Sequence, residues 1–421
     1  MSENPIRAYA AVTAAYWAFM LTDGALRMLV LLHFNGLGFS PVALAWLFLL
    51  YELAGIGTNL GAGWLAARFG LAATLYAGLA LQVAALVALA QLSPGWSIPA
   101  SVAFVMAVQG VSGVAKDLAK MSSKSAVKLL APAAEGGLFR WVAALTGSKN
   151  AVKGLGFFLG AALLALVGFK PAIWGMAGLL ALILIAVVAF LPAGLPGRMK
   201  SEEAWGGWRS KDPRVNRLSL ARMFLFGARD VWFVVGLPVY FQAVLSDGTA
   251  EGRREAFFLT GGFMALWIIA YGAVQAFAPK LLGAKSQPEA AITAKAITWA
   301  GYLVPIPFAL AAAVLIAPAP APGLTAKILI GLLAFGFVFA INSSVHSYLI
   351  LAFGDAARIT RDVGFYYMAN AAGRLIGTML SGLSYQIGGL PLCLATAGAM
   401  AAASWCAARR LTRSEAPADQ S

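Results

Sequence analysis

The chain is poor in charge, in histidine and in cysteine. Only 11% of its 421 residues are Asp, Glu, Lys or Arg, less than half of the ~25% usual in soluble domains. It has two histidines, His33 and His346, and two cysteines, Cys393 and Cys406. The cysteines fall in one apolar run, ~20 Å apart along a continuous helix, so no disulfide between them is expected. They also lack a metal-binding spacing, and no metal site is expected. The patterns His-Glu-x-x-His, Cys-x-x-Cys and Gly-x-Ser-x-Gly are missing, and Gly154 and Gly156 lie in apolar helix with no Walker lysine after them. These absences speak against an enzyme, and no cofactor is expected.

Acidic residues are scarcer than basic ones, 17 against 31, for a net charge of +14. In a soluble chain such a balance would suggest nucleic acid. Here 61% of residues are hydrophobic, and runs long enough to cross a bilayer (~20 residues) recur from end to end. The excess lysine and arginine sits mostly in the loops between them, so lipid is the expected partner and nucleic acid is not. The first apolar run, from Ala8, lacks a basic leader and a small-residue cleavage site, so no removable signal peptide is expected.

Twelve spans are expected: 8–32, 41–67, 71–91, 98–122, 146–168, 171–191, 218–243, 257–280, 290–316, 324–351, 362–387 and 390–409. Gly and Pro mark several ends, as in Ser93-Pro94-Gly95 and Leu390-Pro391. With the N-terminus inside, the cytoplasmic face receives most loop cations, among them Arg68, Lys124, Arg198, Arg217, Lys285, Arg361 and Arg410. The other face receives little beyond Lys170, Arg253 and Arg254. That asymmetry puts both termini in the cytoplasm.

The polar stretch from Pro192 to Arg217 divides the spans six and six. The expected layout is an N-terminal bundle over 1–192, a linker over 193–217, a C-terminal bundle over 218–410 and a tail over 411–421. This resembles the plan of the major facilitator superfamily, an all-α integral membrane fold of two six-helix bundles with the substrate between them. Gly63-Trp-Leu-Ala-Ala-Arg-Phe-Gly70 is similar to that superfamily's loop signature, with Ala67 in place of its acidic residue and Leu71-Ala72 in place of its basic pair. A weak internal repeat points the same way. Asn150-Ala-Val-Lys-Gly-Leu-Gly in the fifth span parallels Asn370-Ala-Ala-Gly-Arg-Leu-Ile-Gly in the eleventh.

Charges inside the spans need a reason, since one at mid-bilayer costs about 2.5–3.5 kcal/mol on insertion scales. Lys149 and Lys153 share a helix face, about 6 Å apart in rise. Asp23 and Arg27 also stand i,i+4; either they neutralise each other, or Asp23 orients an Arg27 that faces the cavity. Arg229 and Asp230 project about 100° apart, so they are not expected to meet face to face. Arg374 either pairs across helices with Asp23, Glu52 or Asp230, or clamps an oxyanion with its fork of donors. Glu52 is either a proton site or a partner to a cation, beside Gly55, Gly57, Gly61 and Gly63, which favour close helix approach. Lys116, Asp117 and Lys120 open a lysine stripe that continues to Lys124 and Lys128, its deeper members lining a vestibule that gathers anions. Asn370 and His346 each either line the cavity or make an interhelical hydrogen bond, and His346 is also a proton-switch candidate. The expected substrate contacts are therefore Arg27, Lys116, Lys120, Lys149, Lys153, Arg229, Arg374 and Asn370. Asp23, Glu52, Asp117, Asp230 and His346 are expected to orient them or carry protons.

Longer blocks carry a narrower resemblance. Leu21-Thr-Asp-Gly-Ala-Leu-Arg-Met-Leu-Val-Leu-Leu-His33, Gly113-Val-Ala-Lys-Asp-Leu-Ala-Lys-Met-Ser-Ser-Lys-Ser-Ala126 and Phe224-Leu-Phe-Gly-Ala-Arg-Asp-Val-Trp-Phe-Val-Val-Gly236 are similar to the ArsJ-type organoarsenical efflux permeases. So is Leu138-Phe-Arg-Trp-Val-Ala-Ala-Leu-Thr-Gly-Ser-Lys-Asn-Ala-Val-Lys-Gly154. The resemblance implies export of 1-arseno-3-phosphoglycerate, a small anion, from the cytoplasm across the inner membrane, and hence arsenate resistance. It also implies a functional partner, the glyceraldehyde-3-phosphate dehydrogenase that makes this ester; the permease itself is expected to be a monomer. The charge pattern alone leaves open a sugar-phosphate or organic-anion exchanger, a drug exporter and, more remotely, a polytopic membrane enzyme.

Overall fold

The computed structural model describes residues 5–130, 137–190, 210–282, 288–317, 322–353 and 359–412. Most of the expected linker, 193–209, and the tail from 413 lie outside the described residues, as do the side chains of the loop signature at 62–67 and of Lys124 and Lys128. Every element among the described residues is helical. In chain order they are α1 (Pro5–Gly36), α2 (Pro41–Trp46), α3 (Leu49–Ala90), α4 (Ile98–Leu130), α5 (Gly137–Leu166), α6 (Phe169–Phe190) and α7 (Pro213–Val231). After a π-helical turn at Trp232–Gly236 come α8 (Leu237–Leu245), α9 (Ala250–Leu281), α10 (Glu289–Leu303), α11 (Pro305–Ile316), α12 (Pro322–Phe353) and α13 (Ile359–Arg409).

Glycine and proline set the breaks. Gly70, at φ 77°, interrupts α3 where the second expected span ends, a backbone angle that glycine alone adopts freely. Gly388 and Gly389 interrupt α13, and Pro391 follows them. Ser40 caps α2 through its hydroxyl, and Asp212 caps α7 ahead of Pro213, the usual start chemistry for a helix. Eleven stretches among the described residues are long and apolar enough to cross a membrane. The last, Asp362–Thr412, holds 51 residues and would measure ~77 Å as a straight helix, over twice the hydrocarbon core of a bilayer.

Burial sorts the spans. The span of α1 is 78% buried and that of α7–α8 83%, against 28% for α6 and for α10–α11. The first two are therefore central, while α6 and α11 turn Leu182, Ile185, Phe190, Leu315 and Ile316 outward, as lipid contact requires. Most of α1–α6 pack on one another, and so do most of α7–α13; between the two groups α5 meets α9, and α2 and α3 meet α13.

Within each group the tightest crossing runs through glycine. A Cβ on Gly156 or Gly160 of α5 would overlap the backbone of α1 at Leu21, Gly24 and Ala25. One on Gly373 or Gly377 of α13 would overlap α7 at Met223 and Gly227. The second span behaves otherwise: Gly57 has open space, and Gly55 makes only ordinary contacts, with Ala371 and the Lys116–Asp117 pair. Close approach there comes instead from the facing α4, where a Cβ on Gly113 would overlap the Tyr51 carbonyl. We expect Gly156→Val and Gly373→Val each to cut the yield of monodisperse protein several-fold, since overpacking costs about 1–3 kcal/mol or more. Gly178→Val in α6, where a Cβ meets nothing within 4 Å, is the control, and equal yields for all three in size-exclusion chromatography would refute the crossing.

Candidate functional site

Three carboxylates organise the centre. Glu52 of α3 is 1% exposed and accepts from Arg27 Nη1 of α1 at 3.0 Å and from Arg374 Nη2 of α13 at 2.6 Å. The same Arg374 brings its Nε to 3.5 Å from Asp230 Oδ2 of α7. Asp230 also takes the neighbouring Arg229, whose Nε donates to Oδ1 at 2.6 Å. Arg374 thus bridges one carboxylate from each helix group. Asp23 of α1 accepts from Lys153 Nζ of α5 at 2.9 Å and from the Tyr51 hydroxyl at 2.7 Å. Rings line the cations: Arg27 stands 5.0 Å from Phe48, and Arg229 4.9 Å from Phe226.

Two expectations about pairing are corrected. Asp23 and Arg27 do not close on each other within α1; Asp23 takes Lys153 and Arg27 takes Glu52. The cross-helix choice satisfies both acids and ties α1, α3 and α5 together. Arg229 and Asp230 do neutralise each other despite adjacent positions. The angle between Cβ directions decides little for arginine, whose long stem folds back to a neighbour.

A fourth carboxylate, Asp117 of α4, accepts from Lys120 Nζ at 3.1 Å and from the Thr58 hydroxyl. Lys120 also donates to Asn59 Oδ1 at 2.8 Å and faces the Tyr367 ring of α13. Lys116 is 8% exposed and rests over the Tyr51 ring at 4.1 Å. Lys149 is half-buried, one turn before Lys153, next to a Ser148 that accepts from Trp17.

Sequence reasoning missed Arg222 of α7. Its guanidinium is 5% exposed. Nε donates to Asn370 Oδ1 at 3.0 Å, and Nη1 donates to the carbonyl and hydroxyl of Ser343 in α12 at 2.8 and 3.0 Å. Phe226 and Tyr366 flank it at 4.1 and 5.0 Å. Ser343 also accepts from Gln275 of α9, which accepts from Asn150 of α5. A polar chain therefore runs from α5 across to α13. In sequence Arg222 follows Arg214 and Arg217 and reads as one more basic residue near the start of a span; its depth was the missing signal. His346, one turn beyond Ser343, is fully buried, and no hydrogen-bond partner among the described residues meets either ring nitrogen.

The sum of these charges is unbalanced. Arg27, Lys116, Lys120, Lys153, Arg222, Arg229 and Arg374 face Asp23, Glu52, Asp117 and Asp230. Cations in excess inside a poorly polarisable interior attract an anion and repel a cation. Among the described residues no group of His, Cys, Asp and Glu has the arrangement of a metal site.

The sequence profile of the Major Facilitator Superfamily matches residues 10–378. No curated protein matches the chain. Among solved structures, a mutant of the nucleoside transporter NupG superposes with a TM-score of 0.71 at 14% identity, covering 96% of this chain and 100% of that one. A POT family transporter in complex with 5-aminolevulinic acid superposes with a TM-score of 0.69 at 15% identity, covering 97% of each. At such identities the likeness concerns the fold alone.

Proposed function

The chain belongs to the major facilitator superfamily, and from that premise we propose that it moves a small organic anion across the membrane by alternating access. The observation that carries the proposal is the seven-to-four excess of cations over carboxylates at the centre among the described residues. With α13 counted as two crossings at Gly388–Gly389, the chain has twelve, in bundles over 1–192 and 218–410 with both termini cytoplasmic.

The transport step follows from the shared carboxylates. Arg27 and Arg374 are held by Glu52. A phosphate or arsenate group offers the same planar donors more oxygens and more charge than a carboxylate does. Substrate would therefore take these arginines from Glu52. The link between α3 and α13 would then open, and the two bundles could rock about the bound anion. Lys116, Lys120, Lys149, Lys153, Arg229 and Asn370 complete the contacts, while Asp23, Asp117, Asp230 and His346 orient them.

The substrate we propose is 1-arseno-3-phosphoglycerate, moved outward across the inner membrane by a monomer that depends on a glyceraldehyde-3-phosphate dehydrogenase for its supply. The blocks around Asp23, Lys116, Lys153 and Arg229 that resemble organoarsenical permeases support it, and an ester with an anionic group at each end suits the charge surplus. Everted vesicles supplied with the dehydrogenase, its substrate, NAD and arsenate test this directly. Arsenic should enter vesicles containing the protein several-fold faster than vesicles without it. Equal rates would overturn the substrate, and exchange of sugar phosphates in proteoliposomes would then test the broader anion reading.

A further inference from the structure

Two of the seven cations have no carboxylate oxygen within 4.0 Å among the described residues: Lys116, which rests on the Tyr51 ring, and Arg222. They stand in different helix groups, on α4 and α7. Among the described residues Arg222 is held by neutral acceptors, the side-chain oxygens of Asn370 and Ser343 and one carbonyl. Those contacts fix the fork's direction without discharging it, and a guanidinium cannot shed its proton to escape burial. A buried ion without a counter-charge costs several kcal/mol. Bulk polar packing would be served as well by an uncharged side chain. Two of the three guanidinium nitrogens are occupied, which leaves Nη2 as the donor for a ligand. Beside it, Asn370 and Gln275 are half-buried rather than sealed, and Gln275 links the site by hydrogen bonds to Asn150 in the other group.

We infer that Arg222, positioned by Asn370 and Ser343, is a second anion-binding position on the C-terminal side of the transport path. The substrate therefore carries two separated anionic groups, one met by Arg222 and the other by the cations of α4 and α5. Such a ligand contacts both helix groups when it binds. A solute with one anionic group leaves one of the two positions unfilled and binds less tightly. This inference rests on the anion reading above and narrows it to two-ended anions.

The test uses purified full-length protein in detergent, with propane-1,3-diol bisphosphate as the two-ended probe and inorganic phosphate as the one-ended comparator, both followed by calorimetry. The wild type should prefer the bisphosphate by roughly tenfold or more, about 1.4 kcal/mol. Arg222→Gln should bring that preference close to one while moving phosphate affinity by less than roughly threefold, since one charge-assisted contact out of several is lost. Arg222→Lys keeps the charge but not the fork and should fall between them; it serves as the test if the glutamine variant does not fold. A full preference in whichever variant folds overturns the inference and leaves the anion reading standing. If the wild type binds neither probe, the anion reading fails and the inference fails with it.

Discussion

Glu52→Gln is expected to reduce transport to below roughly a hundredth of wild type and to lower the melting temperature markedly, because removing one member of a buried ion pair costs about 3–5 kcal/mol. One carboxylate here serves two guanidiniums, Arg27 at 3.0 Å and Arg374 at 2.6 Å. Its loss strands Arg27 and leaves Arg374 only the longer 3.5 Å approach to Asp230, in an interior where Glu52 itself is only 1% exposed. A glutamine oxygen can accept one of those hydrogen bonds but supplies no charge. The stability part of the effect is separable from the transport part. Glu52→Gln combined with Arg374→Gln removes one of the stranded cations, so the double variant should melt above the single one. Neighbours that share a partner are non-additive in this way. Transport should stay lost in the double variant, because Arg374 is also a proposed contact for the anion. Thermal melts and vesicle transport on the two variants decide it. If the single variant melts with the wild type, the shared-carboxylate picture is wrong. Transport restored in the double variant would remove Arg374 from the substrate path.

The same network shows what sequence could and could not supply. Apolar runs and their glycine and proline ends were enough to place the eleven apolar stretches found among the described residues, because a bilayer imposes length and apolarity locally. Gly388–Gly389 interrupts α13 within a residue of the expected gap between 387 and 390. That Asp23, Glu52, Asp230 and Arg374 stand inside the spans was equally legible. Which acid meets which base was not, because pairing depends on how each helix is rotated against its neighbours. Asp23 and Arg27 share a face, yet their partners come from α5 and α3. Arg222 was hidden for a related reason. Depth along a helix start is invisible in a run that already contains Arg214 and Arg217, and only the contacts with Ser343 and Asn370 reveal it. In the second span Gly55 and Gly57 are not points of close approach, because small residues permit it without requiring it. The approach is realised at Gly156 and Gly373 instead.

Membrane potential, rather than a pH gradient, is expected to drive export. Each negative charge moved from a negative cytoplasm outward gains about 2.3 kcal/mol per 100 mV, so a dianion gains roughly twice that, without any coupled ion. The acids in the network are poor candidates for a proton carrier. Asp23 holds Lys153, Glu52 holds Arg27 and Arg374, and Asp117 holds Lys120, while Asp230 holds Arg229. A proton on any of them would leave a buried cation unmatched. His346 lies one turn from the Ser343 that Arg222 grips, so its protonation would set two like charges close together in the C-terminal group. In everted vesicles, potassium outside with valinomycin makes the lumen positive and reproduces the cell's polarity. Under that condition the initial rate of arsenic entry, with ester generated in place, should rise several-fold; reversing the potassium gradient should suppress it. A pH step at clamped zero potential should change the rate little. The opposite pattern, with pH driving entry and potential indifferent, would show that protons travel with the substrate and would return His346 and the shared carboxylates to the role of carriers.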